Sequence, residues 1–298
     1  MNIKESYITT DDGVRLFVRQ IGSGVSPVLV VPNAVWLLDD FAKLGDQRKV
    51  VFYDLRNRGH SDAVIDSAKL KHGVHHDVDD LEAVRKHIGA EQIDVLGHSY
   101  LGVMVILYAM KYPERVRRAV QIGAAPPDFS KQYPAHLTGD DATTQETRAK
   151  LAHLQATSSP AELANPDGEW ATLFRSLFVV NAKDAARVGA AAKYVPNERT
   201  AMKHIGENVM PSLFKLRLNQ DQLAAVRATV LTIHGTRDRQ APYGGGIDWA
   251  TLLPSARLLT VHDAAHLPWI EAPDKVLRAI DTFLKGEWPA EAEPKHPA

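Results

Sequence analysis

Ile93-Asp94-Val95-Leu96-Gly97-His98-Ser99-Tyr100-Leu101-Gly102 is the stretch on which the fold turns. An apolar run ends in a glycine, one serine stands between two ring-bearing residues, and a further glycine follows. The run reads as a strand, Gly97-His98-Ser99 as a tight corner, and Val103–Met110 as a helix that stops before Pro113. A corner of that kind is either a plain strand-to-helix connection or a device that holds the Ser99 hydroxyl in an unusual place.

The flanking sequence alternates in the same way. Tyr7–Thr10 and Val14–Arg19 surround Asp11-Asp12-Gly13, a hairpin pattern. Pro27–Val31 and Lys49–Tyr53 are short apolar runs suited to strands covered on both faces, with a short helix predicted over Trp36–Leu44 between them. Asp77–Ile88 repeats apolar residues at helical spacing behind an acidic first turn. Val116–Ile122, Thr229–His234 and Ala256–Val261 read as further strands, and Pro273–Lys285 as an amphipathic helix. Alternating strands and helices imply a mostly parallel sheet with helices on both faces. Residues 1–123 and 227–286 are therefore assigned to one α/β core. Residues 124–226 read as helices punctuated by Pro, Asn and Gly (Pro126-Pro127, Ser158-Ser159-Pro160, Pro196-Asn197), a helical cap inserted after the sixth strand. Residues 287–298, rich in Pro and charge, are expected to be a disordered tail.

Composition narrows the function. A net charge of −1 gives no basis for binding nucleic acid or an anionic membrane surface. The chain has no cysteine, which removes disulfides, thiolate nucleophiles and cysteine-ligated metals. No apolar run reaches membrane-spanning length and the first residues lack a signal-peptide core, so a cytoplasmic location is the expectation. His75 and His76 open a helix and are read as helix residues, not as metal ligands.

In a parallel sheet, ligands bind at the C-terminal strand ends. A serine alcohol becomes a nucleophile only beside a histidine base, a carboxylate that orients that base, and N–H donors for the oxyanion. Both partners follow later strands: Asp238 in Gly235-Thr236-Arg237-Asp238, and His266 in His262-Asp263-Ala264-Ala265-His266. Asp263 competes for the acid role, and His98, His234 and His262 compete with His266.

The order Ser, Asp, His at successive strand ends resembles the α/β-hydrolase fold family, whose nucleophile elbow is Gly-x-Ser-x-Gly. Tyr53–Ser61 ("YDLRNRGHS") is similar to the family's Asp-x-Arg-Gly-x-Gly-x-Ser loop, with Asn57 at the first glycine. His234–Pro242 and Ala264–Val276 are similar to its acid and histidine loops. The resemblance implies Ser99, Asp238 and His266 as catalytic residues, with His234 packed beneath the acid loop and His98 in the sheet packing. Two departures stand out. Leu101 occupies the usual elbow glycine, which predicts a slightly displaced first helical turn. The loop after the third strand reads Pro32-Asn33-Ala34 where the family has His-Gly. Pro32 has no N–H, while Asn33 tolerates the left-handed backbone of a glycine. The backbone N–H groups of Ala34 and Tyr100 are the expected oxyanion donors, with the Asn33 side-chain amide as the other option.

This chemistry needs no cofactor and no metal, and its partner is a small-molecule substrate. Asn33, Trp36 and Trp269 are expected near the substrate, and the cap adds Trp170, Phe174, Phe178, Tyr194 and Phe214. Hydrolysis of a carboxylic ester is the leading expectation. A proline iminopeptidase-like aminopeptidase is the alternative, with Glu198 and Glu207 to hold a substrate ammonium, and a ligand-binding protein on a hydrolase scaffold is the third.

Overall fold

The computed structural model describes residues 3–24, 27–190 and 197–295, and only the backbone of residues 198 and 199. Its nine strands form one sheet: β1 (Ile3–Thr9), β2 (Arg15–Ile21), β3 (Val28–Pro32), β4 (Val50–Tyr53), β5 (Ile93–His98), β6 (Val116–Ile122), β7 (Thr229–Gly235), β8 (Ala256–Val261) and β9 (Ala292–Glu293). The spatial order is β1-β2-β4-β3-β5-β6-β7-β8-β9. The β1–β2 hairpin joins β4 antiparallel, and from β4 to β8 every pairing is parallel.

Period-two alternation divides the strand residues between two cores. Val28, Val30, Val51, Tyr53 and Val95 face α2 (Val74–His87) and α3 (Tyr100–Lys111). Leu29, Val31, Val50, Phe52 and Leu96 face α1 (Ala34–Phe41) and the helix Pro273–Lys285. Every residue of β3, β4 and β5 is buried, which is why those runs are mostly apolar, with Asp94 and His98 in β5 the polar exceptions. Each such aliphatic side chain is worth about 1.5–3 kcal/mol in transfer from water.

Between β6 and β7 lie α4 (Ala142–Thr157), α5 (Pro160–Leu163), α6 (Glu169–Ser176), α7 (Glu198–His204), α8 (Met210–Leu213) and α9 (Gln220–Leu223). The polar punctuation seen in the sequence caps these helices. Asp141 accepts the Thr144 N–H at 2.8 Å, and Ser159 with Glu162 forms a capping box ahead of Pro160. The predicted helix over Trp36–Leu44 is α1 followed by a 3₁₀ turn at Ala42–Asp46. Tyr243–Leu252 forms α10, Pro268–Glu271 forms α11 and Pro273–Lys285 forms α12.

The expected disordered tail is corrected through Lys295. Trp288 lies 5.2 Å from Phe283 and under the Arg257 guanidinium, and Ala292–Glu293 adds an antiparallel strand to β8. The tail buries Ala292 and covers the edge of β8. Residues 296–298 lie outside the described residues.

Candidate active site

Ser99 links β5 to α3 with φ 59° and ψ −128°. That conformation costs a non-glycine residue of order 1–3 kcal/mol and persists only where the surroundings impose it. The surroundings are tight. A Cβ on Gly97 would sit 2.2 Å from the Leu101 carbonyl oxygen, and one on Gly102 would sit 2.7 Å from the Ala124 Cβ. The close approach therefore falls on Gly102, one position later than the sequence comparison suggests. Leu101 turns into the core, 1% exposed, and α3 begins directly at Tyr100. Ser99 donates its N–H to the Ile122 carbonyl at 3.0 Å.

The loops after β7 and β8 bring His266 and Asp238 together, with His266 Nδ1 2.8 Å from Asp238 Oδ2. Asp238 is fully buried, yet four donors converge on it. Gln240 and Ala241 donate their N–H groups to Oδ1 at 2.8 and 2.9 Å, and His234 Nε2 lies 3.2 Å from Oδ2. Burial pushes this carboxyl up, but His266 and the hydrogen bonds from both histidines outweigh it and hold the pKa well below the carboxylate range. An ionised Asp238 facing Nδ1 fixes the proton there and leaves His266 Nε2 as the acceptor. Gly123 lies between this pair and the elbow: a Cβ there would be 3.1 Å from His266 Nδ1 and 3.2 Å from Asp238 Oδ2, and Ile122 is the residue that Ser99 bonds.

Of the rival groups, two are exposed and two are buried against the pair. His262 and Asp263 are exposed on the turn, and the Asp263 N–H is held by the Thr236 hydroxyl. His234 is buried beneath the acid loop, its Nε2 also 3.0 Å from the Ala241 carbonyl. His98 does more than pack. Its Nε2 donates to the His266 carbonyl at 3.1 Å, and its ring centroid lies 4.5 Å from that of His266. Burial and the neighbouring His266 hold His98 well below its ordinary pKa, so it is neutral.

Asn33 adopts the left-handed conformation, φ 67° and ψ 56°, directly before α1. Asn57 does the same at φ 64°, so both asparagines occupy glycine-type backbone positions. Ala34 and Tyr100 are the first residues of α1 and α3, where N–H groups have no acceptor within the helix. Asp54 Oδ1 accepts the next N–H, that of Val35, at 3.1 Å, and Arg58 Nη1 donates to Asn33 Oδ1 at 3.3 Å. The Asn33 side-chain amide oxygen is thus turned towards Arg58.

The two tryptophans part company. Trp36 stands 6.4 Å from Phe178, with Gly189 against its ring and the Arg58 guanidinium 5.9 Å away, on the side where the β6–β7 helices meet the strand ends. Trp269 is 4% exposed. Its Nε1 donates to Asp40 Oδ2 and its ring abuts Phe41 and His98, so it packs into the core. Phe178 lies 5.5 Å from the His266 ring and accepts the His266 N–H on its carbonyl at 3.0 Å. A backbone acceptor of this kind leaves no signature in side-chain identity. Tyr194 and the Glu198 side chain lie outside the described residues, and Glu207 is on the surface 4.0 Å from Lys203. Among the described residues no cluster of His, Asp or Glu is placed to hold a metal, and no helix is long and apolar enough to cross a membrane.

The sheet order and this set of loops define a class, the alpha/beta hydrolase fold; the model of that family matches residues 32–273, and the chain belongs to it. Several curated relatives match over most of the chain, two of which bear on the chemistry. One is the 2-hydroxymuconate semialdehyde hydrolase of Pseudomonas putida, 23% identical over 84% of this chain and 79% of its own. The other is the proline iminopeptidase of Saccharolobus solfataricus, 39% identical over 79% of this chain and 75% of its own. Among solved structures, an esterase from Exiguobacterium antarcticum superposes with a TM-score of 0.71 at 18% identity, over 95% of this chain and all of the other, and speaks for the fold. The protein is a hydrolase by family.

Proposed function

We propose that the protein is a serine hydrolase that cleaves a small carboxylic ester through an acyl-enzyme. Ser99 Oγ attacks the ester carbonyl carbon while His266 Nε2 takes its proton, and Asp238 stabilises the imidazolium that forms. The N–H groups of Ala34 and Tyr100 receive the oxyanion at the N-termini of α1 and α3. Collapse of the tetrahedral intermediate breaks the C–O bond, and His266 returns its proton to the leaving alcohol. Water then hydrolyses the acyl-enzyme by the same route. The observation that carries this reading is the ionised Asp238 hydrogen-bonded to His266 Nδ1, together with the strained backbone of Ser99 at the end of β5. In this reading residues 124–226 are a cap that borders the substrate with Trp36 and Phe178.

Aminopeptidase action is the second reading, and the proline iminopeptidase relative at 39% identity favours it. A substrate ammonium requires a shielded carboxylate, and Glu207 is surface-exposed. p-Nitrophenyl esters of graded acyl length and proline-β-naphthylamide, assayed with wild type and Ser99→Ala, separate the two. Ester turnover that is abolished in Ser99→Ala is the expected result, and efficient cleavage of the amide alone would overturn the ester assignment.

A further inference from the structure

Glu271, the last residue of α11, bridges two main-chain segments with its carboxylate. Oε2 accepts the N–H of Ala265, the residue before His266, at 2.6 Å. Oε1 accepts the N–H of Val180 at 2.6 Å, from the stretch that follows α6. That stretch reaches the site directly. The Phe178 carbonyl accepts the N–H groups of His266 and Leu267 at 3.0 and 3.3 Å. Arg239, next to Asp238 in the chain, donates to the Val179 carbonyl at 3.3 Å, and Arg187 donates to the Ile270 carbonyl at 3.1 Å. Three consecutive residues, Phe178–Val180, therefore touch the loops of both His266 and Asp238.

A carboxylate suits this junction because it offers an acceptor to each segment, whereas an amide offers one acceptor and sets an N–H against the other donor. Burial raises the Glu271 carboxyl and Asp184 adds to the rise, while the N–H groups of Ala265, Val180 and Asn181 favour the ionised form. The Ala265 peptide is adjacent to His266, so rotation of that peptide swings the imidazole away from Asp238. Nothing else among the described contacts holds the Ala265 N–H.

We propose that Glu271 is a positioning residue that locks the His266 loop to the Phe178–Val180 stretch, so that the imidazole and the chain covering it move as one frame. The inference rests on His266 as the base. Its role would be to fix the ring geometry in which Nδ1 meets Asp238 and Nε2 faces Ser99.

The test combines kinetics with a signal that does not depend on substrate. In Glu271→Gln, kcat for ester hydrolysis is expected to fall about 30–100-fold with KM kept within about threefold, the signature of misplaced chemistry rather than lost binding. Glu271→Asp keeps two acceptors and is expected to recover to about 3–10-fold below wild type. A kcat near wild type in Glu271→Gln, a loss confined to KM, or no recovery in Glu271→Asp would overturn the proposal. Proton NMR reads the same claim directly: the His266 Nδ1 proton should resonate at low field in the wild type and broaden in Glu271→Gln. An unchanged resonance overturns it. If the wild type hydrolyses no ester or amide, the proposed function fails, and the NMR comparison still decides the role of Glu271. If Glu271→Gln does not fold, the kcat of Glu271→Asp decides it, lowered at constant KM in support or unchanged against.

Discussion

Two carboxylates are buried equally deeply and end in opposite states. Asp238 follows β7, Asp77 stands in the first turn of α2, and neither is more than 1% exposed. Asp238 collects His266, His234 and two N–H donors and stays ionised. Asp77 Oδ2 has no hydrogen-bond partner among the described residues, and burial, reinforced by the like charge of Asp80, pushes its pKa up to about 8. Arg56 and Arg58 act against the rise, but Arg56 is engaged by Asp80 through Nε and Nη2 at 2.9 and 2.6 Å. Burial with a like charge nearby and no donor at Oδ2 thus favours the neutral carboxyl. An interior negative charge marks a place where the fold has gathered donors to keep it.

The largest expected effect comes from dismantling the charged site. Asp238→Asn preserves the shape but no longer selects the Nδ1–H tautomer of His266, and kcat should fall by up to about four orders of magnitude. Asp263→Asn, on the exposed turn, should leave kcat unchanged. Stopped-flow or steady-state ester hydrolysis of both variants checks the contrast, and a reversal would reassign the acid.

The neutral site should reveal itself in stability. A carboxyl whose folded pKa lies above its unfolded value of about 3.9 stabilises the fold fully below pH 4, and that stability drains away as pH rises towards the folded pKa. For Asp77 the window runs from about pH 4 to about 8. Asp77→Asn removes the titration, so its Tm should pull ahead of the wild type as pH rises from 5 to 8. Each kcal/mol of difference corresponds to about 2–4 °C. Parallel Tm curves for the two proteins would show that Asp77 ionises freely. The smallest effect is expected at Glu207, where Glu207→Gln should leave both ester turnover and Tm unchanged, as its ion pair with Lys203 is exposed.

How much of this was legible depended on what each residue was doing. The strand ends were readable because buried apolar runs stop at turn residues, so Ser99, Asp238 and His266 announce themselves by position. Asn33 was readable as a left-handed residue from its own side chain, and Asn57 followed the same rule. The α10 helix was not, because Gly244-Gly245-Gly246 gives no helical signal. Those glycines serve contact: a Cβ would strike Tyr133 at Gly244 and His234 at Gly246. The tail misled for a related reason. Its charge and prolines suggest disorder, while Trp288, packed on Phe283 and Arg257, and the pairing of Ala292–Glu293 with β8 dock it. Contacts through the main chain, such as His266 to Phe178, are invisible to any reading of side chains.

The central claim is that Ser99 is the nucleophile, and the most direct measurement is intact and peptide mass spectrometry after brief reaction with a slowly deacylating p-nitrophenyl ester or with diisopropyl fluorophosphate. One acyl or phosphoryl group should appear on the peptide that contains Ser99, in step with loss of activity, and Ser99→Ala should acquire none while keeping its circular dichroism. Label on another residue, or turnover undiminished in Ser99→Ala, would contradict the account.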